Sequence, residues 1–236
     1  MKDRRDIGHR VTGKHAFLCE MAGALAGEDI LDLGCGIGWF EEYAELKGCA
    51  RVKGVDTDEV RLDRAAIRAP GAVFVNDDAV AVMHDPDTFT VIAMFDFLEH
   101  LPREGVPLVL ARAAASLPQG GRLLLSVPYR GLISTLLDPT FYFGHRHYRL
   151  VDLHALLERS GFGISRVRYG GDIWEHLSML WLYFFKWVFA REMPFEAFLE
   201  RKRHMAYVSS RLVPTTTSAT MFVEAVRRTP IERALS

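Results

Sequence analysis

The chain has 236 residues, 49% of them hydrophobic and 25% charged, and it is long enough to bury a substantial core as a single domain, 1–236. Its formal net charge of -1 excludes a general attraction to polyanions. We therefore expect no nucleic-acid partner, because such a partner would need a local basic patch.

The cysteines and the N-terminus indicate the compartment. Cys19, Cys35 and Cys49 form no Cys-x-x-Cys pair, and their odd number suits reduced thiols. The first six residues are mostly charged and no apolar stretch follows them, so we expect no secretory signal. Both features predict a cytoplasmic protein.

Apolar periodicity predicts an alternation of helices and strands over about 170 residues. The predicted helices cover residues 12–26, 38–48, 58–69, 103–117 and 150–160. The predicted strands cover residues 28–33, 51–56, 71–76, 88–95, 121–127, 162–169 and 217–227. This order predicts an α/β fold with a doubly wound, seven-stranded, mostly parallel sheet of the Rossmann-like kind.

A glycine-rich loop follows the first predicted strand. Asp32 precedes three glycines on alternate positions, Gly34, Gly36 and Gly38. Such glycines let the backbone turn tightly and approach a ligand at a helix N-terminus. The third glycine of a dinucleotide fingerprint would fall on Trp39, which disfavours a nicotinamide or flavin cofactor. We interpret Cys35, inside the loop, as a backbone contact and not as a nucleophile.

Polar side chains close three further predicted strands. Asp56, followed by Thr57, ends the second strand, and its carboxylate can accept hydrogen bonds from both hydroxyls of a ribose. The third strand ends in Asp77-Asp78-Ala79, where Asp77 is interpreted as a solvated neighbour of Asp78. The fourth strand ends in Met94-Phe95-Asp96, which offers an aromatic ring to cover a base.

Five motifs in this order resemble those of the class I S-adenosylmethionine-dependent methyltransferases. They occupy residues 31–38, 55–56, 78–79, 89–100 and 117–121, within a resemblance that spans residues 14–169. Residues 89–100, which end in Leu-Glu-His, are similar to the small-molecule branch that includes ubiquinone-type O-methyltransferases. The resemblance implies S-adenosylmethionine as cofactor and a small-molecule or lipid-like acceptor, methylated at oxygen. The cofactor-binding residues it implies are Asp32, Gly34, Cys35, Gly36, Gly38, Asp56, Thr57, Asp78, Ala79 and Phe95.

Three histidines in predicted site loops are candidates for a catalytic base, because the ordinary pKa of histidine lies near neutrality. His100 follows the fourth strand and has Glu99 beside it, while His145 and His147 follow the fifth. The alternative for His100 is a hydrogen bond at a helix start. The alternatives for the pair are metal ligation and loop packing, and we expect no metal site because no further ligand cluster is evident.

Residues 171–213 interrupt the alternation and predict a helical insertion before the last strand. Residues 174–190 are rich in aromatic side chains, and the basic run Arg201-Lys202-Arg203 follows. The apolar run is too short for a membrane span, and Glu175 and Lys186 form a narrow polar stripe on a helix. A core or dimer-interface helix, a lid over the acceptor and a membrane-surface element all fit this pattern.

Two other functions stay open at this point. A noncatalytic S-adenosylmethionine-binding or scaffold protein would keep the cofactor motifs and lose the acceptor chemistry. A nucleic-acid methyltransferase is disfavoured because residues 201–203 are the main basic run. The identity of the acceptor cannot be read from the chain.

Overall fold

A computed structural model describes residues 13–83, 89–142, 144–188, 196–208 and 211–228. The strands are β1 (Asp29–Leu33), β2 (Arg51–Asp56), β3 (Val73–Asn76), β4 (Val91–Phe95), β5 (Arg122–Pro128), β6 (Phe162–Gly170) and β7 (Thr220–Arg227). The helices up to the sixth strand are α1 (Gly13–Ala22), α2 (Trp39–Leu46), α3 (Glu59–Arg68), α4 (Ala79–Val82), α5 (Gly105–Ser116), α6 (Leu132–Leu137), α7 (Pro139–Tyr142) and α8 (Leu150–Arg159). The last two helices are α9 (Ile173–Val188) and α10 (Glu196–Val208).

The seven strands form one sheet in the order β3-β2-β1-β4-β5-β7-β6. β7 runs antiparallel to both of its neighbours, and the other pairs are parallel. The chain order reverses between β1 and β4, and ligands bind such sheets in the crevice at the carboxyl ends of the strands beside this point. The predicted fold class is confirmed.

The central strands are buried because both faces of the sheet are covered. Leu31 and Leu33 pack into the core on one face, while Ile30, which precedes them, packs into the core on the other. Helices cover both faces, so buried residues follow one another in β1 and β4 and do not alternate with exposed ones.

Several predicted boundaries differ from the structure. The first helix ends at Ala22 and not at residue 26, and the last strand begins at Thr220 and not at residue 217. Residue 12 of the first predicted helix and residue 88 of the fourth predicted strand lie outside the described residues. The short helices α4, α6 and α7 were not predicted, because segments of four to six residues carry too little periodicity.

The predicted insertion contains two helices, α9 and α10. α10 crosses α1 closely at Gly13, where an added Cβ would lie 2.3 Å from the Cα atom of His204. The polar stripe predicted for α9 is not solvent-facing at Glu175, which is buried and paired with Arg203 at 2.7 Å. The side chain of Lys186 and residues 189–195 and 209–210 lie outside the described residues.

An apolar stripe on α9 is partly exposed. Its members are Leu177, Leu180, Trp181 and Phe184, and their spacing places them on one face of the helix. In the described part of the chain, the helices are all too short or too polar to cross a membrane.

Candidate active site

The glycine loop between β1 and α2 has the left-handed backbone that its sequence predicts. Gly34, Gly36 and Gly38 have φ angles of 80°, 56° and 76°. A Cβ at Gly38 would lie 2.8 Å from the Cα atom of Ala65, so this glycine lets α2 and α3 approach each other. A Cβ at Gly36 would meet nothing within 4 Å, so this residue leaves open space beside the loop. The glycines therefore have three roles. They allow the tight turn and the close packing of α2 and α3, which need no ligand, and they leave open space that accommodates one.

Asp56, the last residue of β2, is joined to the glycine loop. One oxygen of its carboxylate accepts a hydrogen bond from the N–H of Gly36 at 2.9 Å, and the other accepts one from the N–H of Asp58 at 2.9 Å. An ionised carboxylate has about four lone-pair positions, so Asp56 keeps capacity for two further donors. The carboxylate therefore both shapes the loop and stays available to a ligand.

A cavity of about 340 Å³, here called the cofactor cavity, opens beside the carboxyl ends of β1, β2 and β4. It is lined by Gly34, Val55, Asp56, Thr57, Arg61, Asp77, Asp78, Ala79, Asp96, Phe97, His100 and Leu101. Five of the predicted cofactor residues lie in this lining, namely Gly34, Asp56, Thr57, Asp78 and Ala79. Asp77, interpreted from the sequence as a solvated neighbour, lines the cavity as well, and its side chain accepts a hydrogen bond from the N–H of Asp78.

Phe95 lies in a different place from the one predicted. Its ring is buried among Trp39, Phe40 and Phe222, with centroid distances of 5.5, 4.9 and 6.3 Å. Phe97, two residues further on, lines the cofactor cavity instead. Phe95 ends β4, and the left-handed backbone of Asp96 turns the chain before Phe97. The sequence could therefore have identified the ring only if this turn had been known.

Four other predicted cofactor residues lie outside the lining of the cavity, namely Asp32 in β1 and Cys35, Gly36 and Gly38 in the loop. Asp32 is buried next to Glu41 of α2, and burial raises the pKa of Asp32 to about 7. Burial, followed by the charge of Asp32, also raises the pKa of Glu41 well above its usual range. Burial raises the pKa of the Cys35 thiol, which agrees with the interpretation that Cys35 is not a nucleophile.

A second cavity of about 210 Å³, here called the acceptor cavity, adjoins the first. Its lining comprises Lys14, Asp96, Glu99, His100, Pro128, Asp138, His145, Glu175, His176, Met179, Tyr207, Ala219 and Thr220. Asp96 and His100 line both cavities. A molecule in one cavity and a molecule in the other would therefore meet at these two side chains.

Asp96 is held by two residues, Ser126 and Lys14. It has a positive φ of 49°, a conformation that aspartate tolerates better than most residues, and strain of this kind is frequent at functional sites. Its carboxylate accepts a hydrogen bond from Ser126 at 3.0 Å and pairs with the ammonium of Lys14 at 2.6 Å. Burial alone would lower the pKa of Lys14, but the carboxylate of Asp96 outweighs it and raises that pKa, so Lys14 stays protonated.

Two of the three candidate histidines meet at the acceptor cavity. The rings of His100 and His145 pack edge to face, with their centroids 4.4 Å apart. Burial, and then the neighbouring His145, lower the pKa of His100 below its usual range. His100 is therefore neutral at neutral pH, the form that accepts a proton.

The structure separates His147 from this pair. Its side chain is almost completely buried, with one ring nitrogen 3.1 Å from the carboxylate of Asp138 and the other 3.3 Å from the hydroxyl of Thr135. Both ring nitrogens are thus engaged by α6 and the residue that follows it. This geometry corresponds to the loop-packing alternative, and it leaves His100 and His145 as the histidines placed for acid-base chemistry.

Buried polar groups from distant segments complete the acceptor cavity. Glu99 is 5% exposed and one of its oxygens has no partner among the described residues, while burial, and then Asp96, raise its pKa well above the usual range. Arg203 holds Glu175 through two hydrogen bonds of 2.7 and 2.9 Å. The hydroxyl of Tyr207 lies 3.1 Å from that of Thr220. Sequence reasoning missed Lys14, Tyr207 and His176, because nothing local marks residues of α1, α9 and α10 as neighbours of β4.

Comparison with known proteins identifies the family. A family model described as a methyltransferase domain matches residues 6–167, more than half of the chain. Among curated proteins, a ubiquinone biosynthesis O-methyltransferase of Bordetella parapertussis is 35% identical over 111 residues, and one of Neisseria meningitidis serogroup A is 33% identical over 112 residues. These matches cover 45% and 44% of this chain and 44% and 42% of those proteins, so the chain matches less than half of their length.

Solved structures share the fold. A SAM dependent methyltransferase from Archaeoglobus fulgidus is 19% identical, has a TM-score of 0.64 and is matched over 95% of each chain. Magnesium protoporphyrin IX methyltransferase from Synechocystis PCC 6803, solved with bound SAH, is 20% identical with a TM-score of 0.60, over 94% of this chain and 84% of that one. The chain belongs to the methyltransferase-domain family, and the resemblance to class I S-adenosylmethionine-dependent methyltransferases is confirmed. S-adenosylmethionine is the cofactor of this class.

The cofactor cavity fits a nucleoside. The open space at Gly36 admits a ligand close to the backbone, and Asp56 has free lone pairs for ribose hydroxyls. Asp78 and Ala79, at the start of α4, line the cavity together with Asp56. The residues present are therefore compatible with S-adenosylmethionine.

Proposed function

We propose that this S-adenosylmethionine-dependent methyltransferase transfers a methyl group to an oxygen atom of a small-molecule or lipid-like acceptor. The observation that carries the proposal is the position of His100, which lines both the cofactor cavity and the acceptor cavity. A base that lines both cavities can contact the acceptor at the place where the acceptor meets the cofactor. Such positioning supplies much of the rate of a group transfer.

In this proposal, residues of the cofactor cavity bind the cofactor and residues of the acceptor cavity act on the acceptor. When bound, S-adenosylmethionine supplies an electrophilic methyl group on a sulfonium sulfur. Asp56 and the glycine loop hold the nucleoside. His100 accepts the proton from the acceptor hydroxyl at a ring nitrogen, which its lowered pKa leaves free at neutral pH. The ring of His145 packs edge to face with that of His100 and helps to position it.

Three side chains beside His100, those of Lys14, Asp96 and Glu99, orient the acceptor. The ion pair of Lys14 and Asp96 keeps one charge of each sign at the border of the cavities, so the site gains no net charge from it. Burial, and then Asp96, raise the pKa of Glu99, which favours its protonated form, and that form has an O–H to donate to an oxygen of the acceptor. An acceptor with two neighbouring oxygens, such as a catechol, satisfies His100 with one oxygen and Glu99 with the other.

The choice of oxygen as the methylated atom is supported by the curated relatives, which are O-methyltransferases by name. The acceptor cavity agrees with this choice, since it offers a neutral histidine as a base for a hydroxyl.

The proposal is tested by a screen for S-adenosylhomocysteine release over catechols, monophenols, primary amines and a lipid acceptor, with the methylated product identified by mass spectrometry. We expect release with catechols and a product that carries the methyl group on oxygen. Turnover confined to amines would contradict oxygen methylation. Cofactor binding without turnover on any class would favour a noncatalytic binding protein.

A further inference from the structure

A third cavity, of about 560 Å³, borders the acceptor cavity at His145, which lines both. We call it the arginine cavity. Its charged and titratable lining consists of Arg103, Arg130, Arg146, Asp152, His145 and His147. It lies between Arg103 before α5, Arg130 after β5, residues 144–148 and the start of α8.

The arginine cavity concentrates positive charge in a chain whose net charge is -1. Three guanidinium groups line it with a single carboxylate, Asp152. The side chains of Arg103 and Arg130 form no hydrogen bond or ion pair within the described residues. Such unpaired guanidinium groups present planar pairs of donors that match a carboxylate or a phosphate.

Arg146 anchors the cavity to the catalytic segment. Its guanidinium donates hydrogen bonds to the carbonyl oxygens of Leu98, at 2.7 Å, and of Leu101. These carbonyls flank His100 in the chain. Its Nε atom is buried and has no partner among the described residues. Arg146 therefore positions the loop that carries the base and keeps its positive charge at the cavity wall.

Two helices begin at the same cavity. Val106, in the first turn of α5, and Asp152, in the first turn of α8, both line it. Neither helix has a side-chain hydrogen bond at its N-cap. The first turn of α8 adds to the attraction for an anion that the arginines create. The first turn of α5 contributes less, because the N–H of Gly105 donates to the carbonyl oxygen of Pro102 and Pro107 has no N–H.

Apolar side chains complete the wall. Phe141, Tyr148 and Leu156 line the cavity together with the arginines. The hydroxyl of Tyr148 is bonded to the carbonyl oxygen of Leu98 at 3.1 Å, so it is not free for a ligand. The cavity therefore suits an anionic group that is attached to an apolar or aromatic body, and it suits a free ion less well.

We propose that the arginine cavity binds a carboxylate or phosphate group carried by the methyl acceptor, whose reacting hydroxyl lies at His100. The inference rests on the proposed function, because it makes the arginine cavity an extension of the acceptor cavity through His145. The acceptor class is then an anionic hydroxylated aromatic molecule. Arg103 and Arg130 are the residues that select it.

The test is calorimetric titration with four probes, performed without turnover. The probes are catechol, 3,4-dihydroxybenzoate, 3-(3,4-dihydroxyphenyl)propanoate and inorganic phosphate, and the two acids place the carboxylate at different distances from the hydroxyls. The protein is compared with Arg103→Gln, Arg130→Gln and the double variant. Arg146 is left intact because it holds the loop of His100. Arg159→Gln, an exposed arginine at the other end of α8, is the matched control.

We expect at least one of the acids to bind about tenfold more tightly than catechol, since charge-assisted hydrogen bonds are the strong ones. The double variant should lose this preference and keep its affinity for catechol, while Arg159→Gln keeps both. Phosphate should compete with the preferred acid. Equal binding of catechol and both acids overturns the proposal. Binding of phosphate without a gain for either acid also overturns it, because the anion is then a free ion.

The two proposals fail in distinguishable ways. A preference for the acids that depends on Arg103 and Arg130, with no methyl transfer to any of these acceptors, supports the arginine cavity and contradicts the proposed function. Methyl transfer to catechol with no preference for the acids contradicts the arginine cavity alone.

Discussion

The cofactor cavity and the acceptor cavity are built in opposite ways. The cofactor cavity uses residues 34–101, a continuous stretch in which each strand delivers its last residues to one edge of the sheet. The acceptor cavity draws on α1, the end of β4, the segment after β5, α9, α10 and β7, which lie between Lys14 and Thr220. The first is therefore determined by local pattern, and the second depends on the packing of distant helices.

The two cavities also differ in their electrostatics. Asp77 and Asp78 of the cofactor cavity are exposed, so water screens their charges. In the acceptor cavity, Glu99 and Glu175 are buried; burial, and then Asp96, raise the pKa of Glu99, and Glu175 is paired with Arg203. Changes in the acceptor cavity should thus affect chemistry, whereas changes in the glycine loop should affect cofactor binding and stability.

The largest expected effect is on turnover. His100→Ala should lower kcat by about 10²–10⁴-fold, because it removes the base at the border of the cavities. The affinity for S-adenosylhomocysteine should stay nearly unchanged. Steady-state kinetics beside a binding titration measure both, and His154→Ala, an exposed histidine on α8, is the control. Near-wild-type turnover would remove His100 from the catalytic residues.

A second prediction concerns close packing in the glycine loop. Gly38 and Gly48 have the same φ of 76°, but only at Gly38 would a Cβ meet a neighbour, the Cα atom of Ala65 at 2.8 Å. Gly38→Ala should therefore cost about 1–3 kcal/mol more free energy of unfolding than Gly48→Ala, since it adds an overlap to the same backbone strain. Denaturant unfolding of the two variants gives the difference. Equal losses would mean that α2 and α3 have room to separate.

A third prediction concerns α9, whose inner residues His176 and Met179 line the acceptor cavity while Trp181 is 37% exposed. If the exposed stripe contacts the apolar part of an acceptor, Trp181→Glu should raise the acceptor KM by about tenfold and spare cofactor affinity. Leu46→Glu on α2, an exposed apolar residue outside both linings, is the control.

The same variant distinguishes the other roles of the stripe. A fall in molecular mass by light scattering would identify a dimer interface. Loss of co-flotation with anionic vesicles would identify a membrane-surface element. An unchanged KM, mass and vesicle behaviour would show that the stripe has none of these roles.

The smallest expected effect is a shift in pH dependence. Because a base acts in its neutral form, kcat/KM should rise with pH through the pKa of His100 and then level off. The inflection should lie at a pH below the ordinary pKa of histidine. His145→Gln removes a neighbour that lowers this pKa and should move the inflection to higher pH. A pH-rate profile measures the shift. An unmoved inflection would assign it to another group.

Five of the predicted cofactor residues line the cofactor cavity, because the signals that place them are local. Gly34, Asp56 and Asp78 each follow an apolar run, and the alternation of strands and helices is enough to bring strand ends to one edge of the sheet. Phe95 was misplaced because a shift of one or two residues decides which ring faces the cavity. Lys14 and Tyr207 were missed because their proximity to Asp96 or Thr220 depends on how α1 and α10 pack, and no local pattern encodes that packing.

The most direct test of the division between the cofactor cavity and the acceptor cavity is a binding titration. S-adenosylhomocysteine is titrated into the wild type, Asp56→Ala and His100→Ala. We predict binding of one molecule per chain, an affinity about ten- to a hundredfold lower in Asp56→Ala because a charged hydrogen-bond acceptor is lost, and no change in His100→Ala. NADH should not bind. Binding of NADH without binding of S-adenosylhomocysteine, or equal losses in the two variants, would contradict the account.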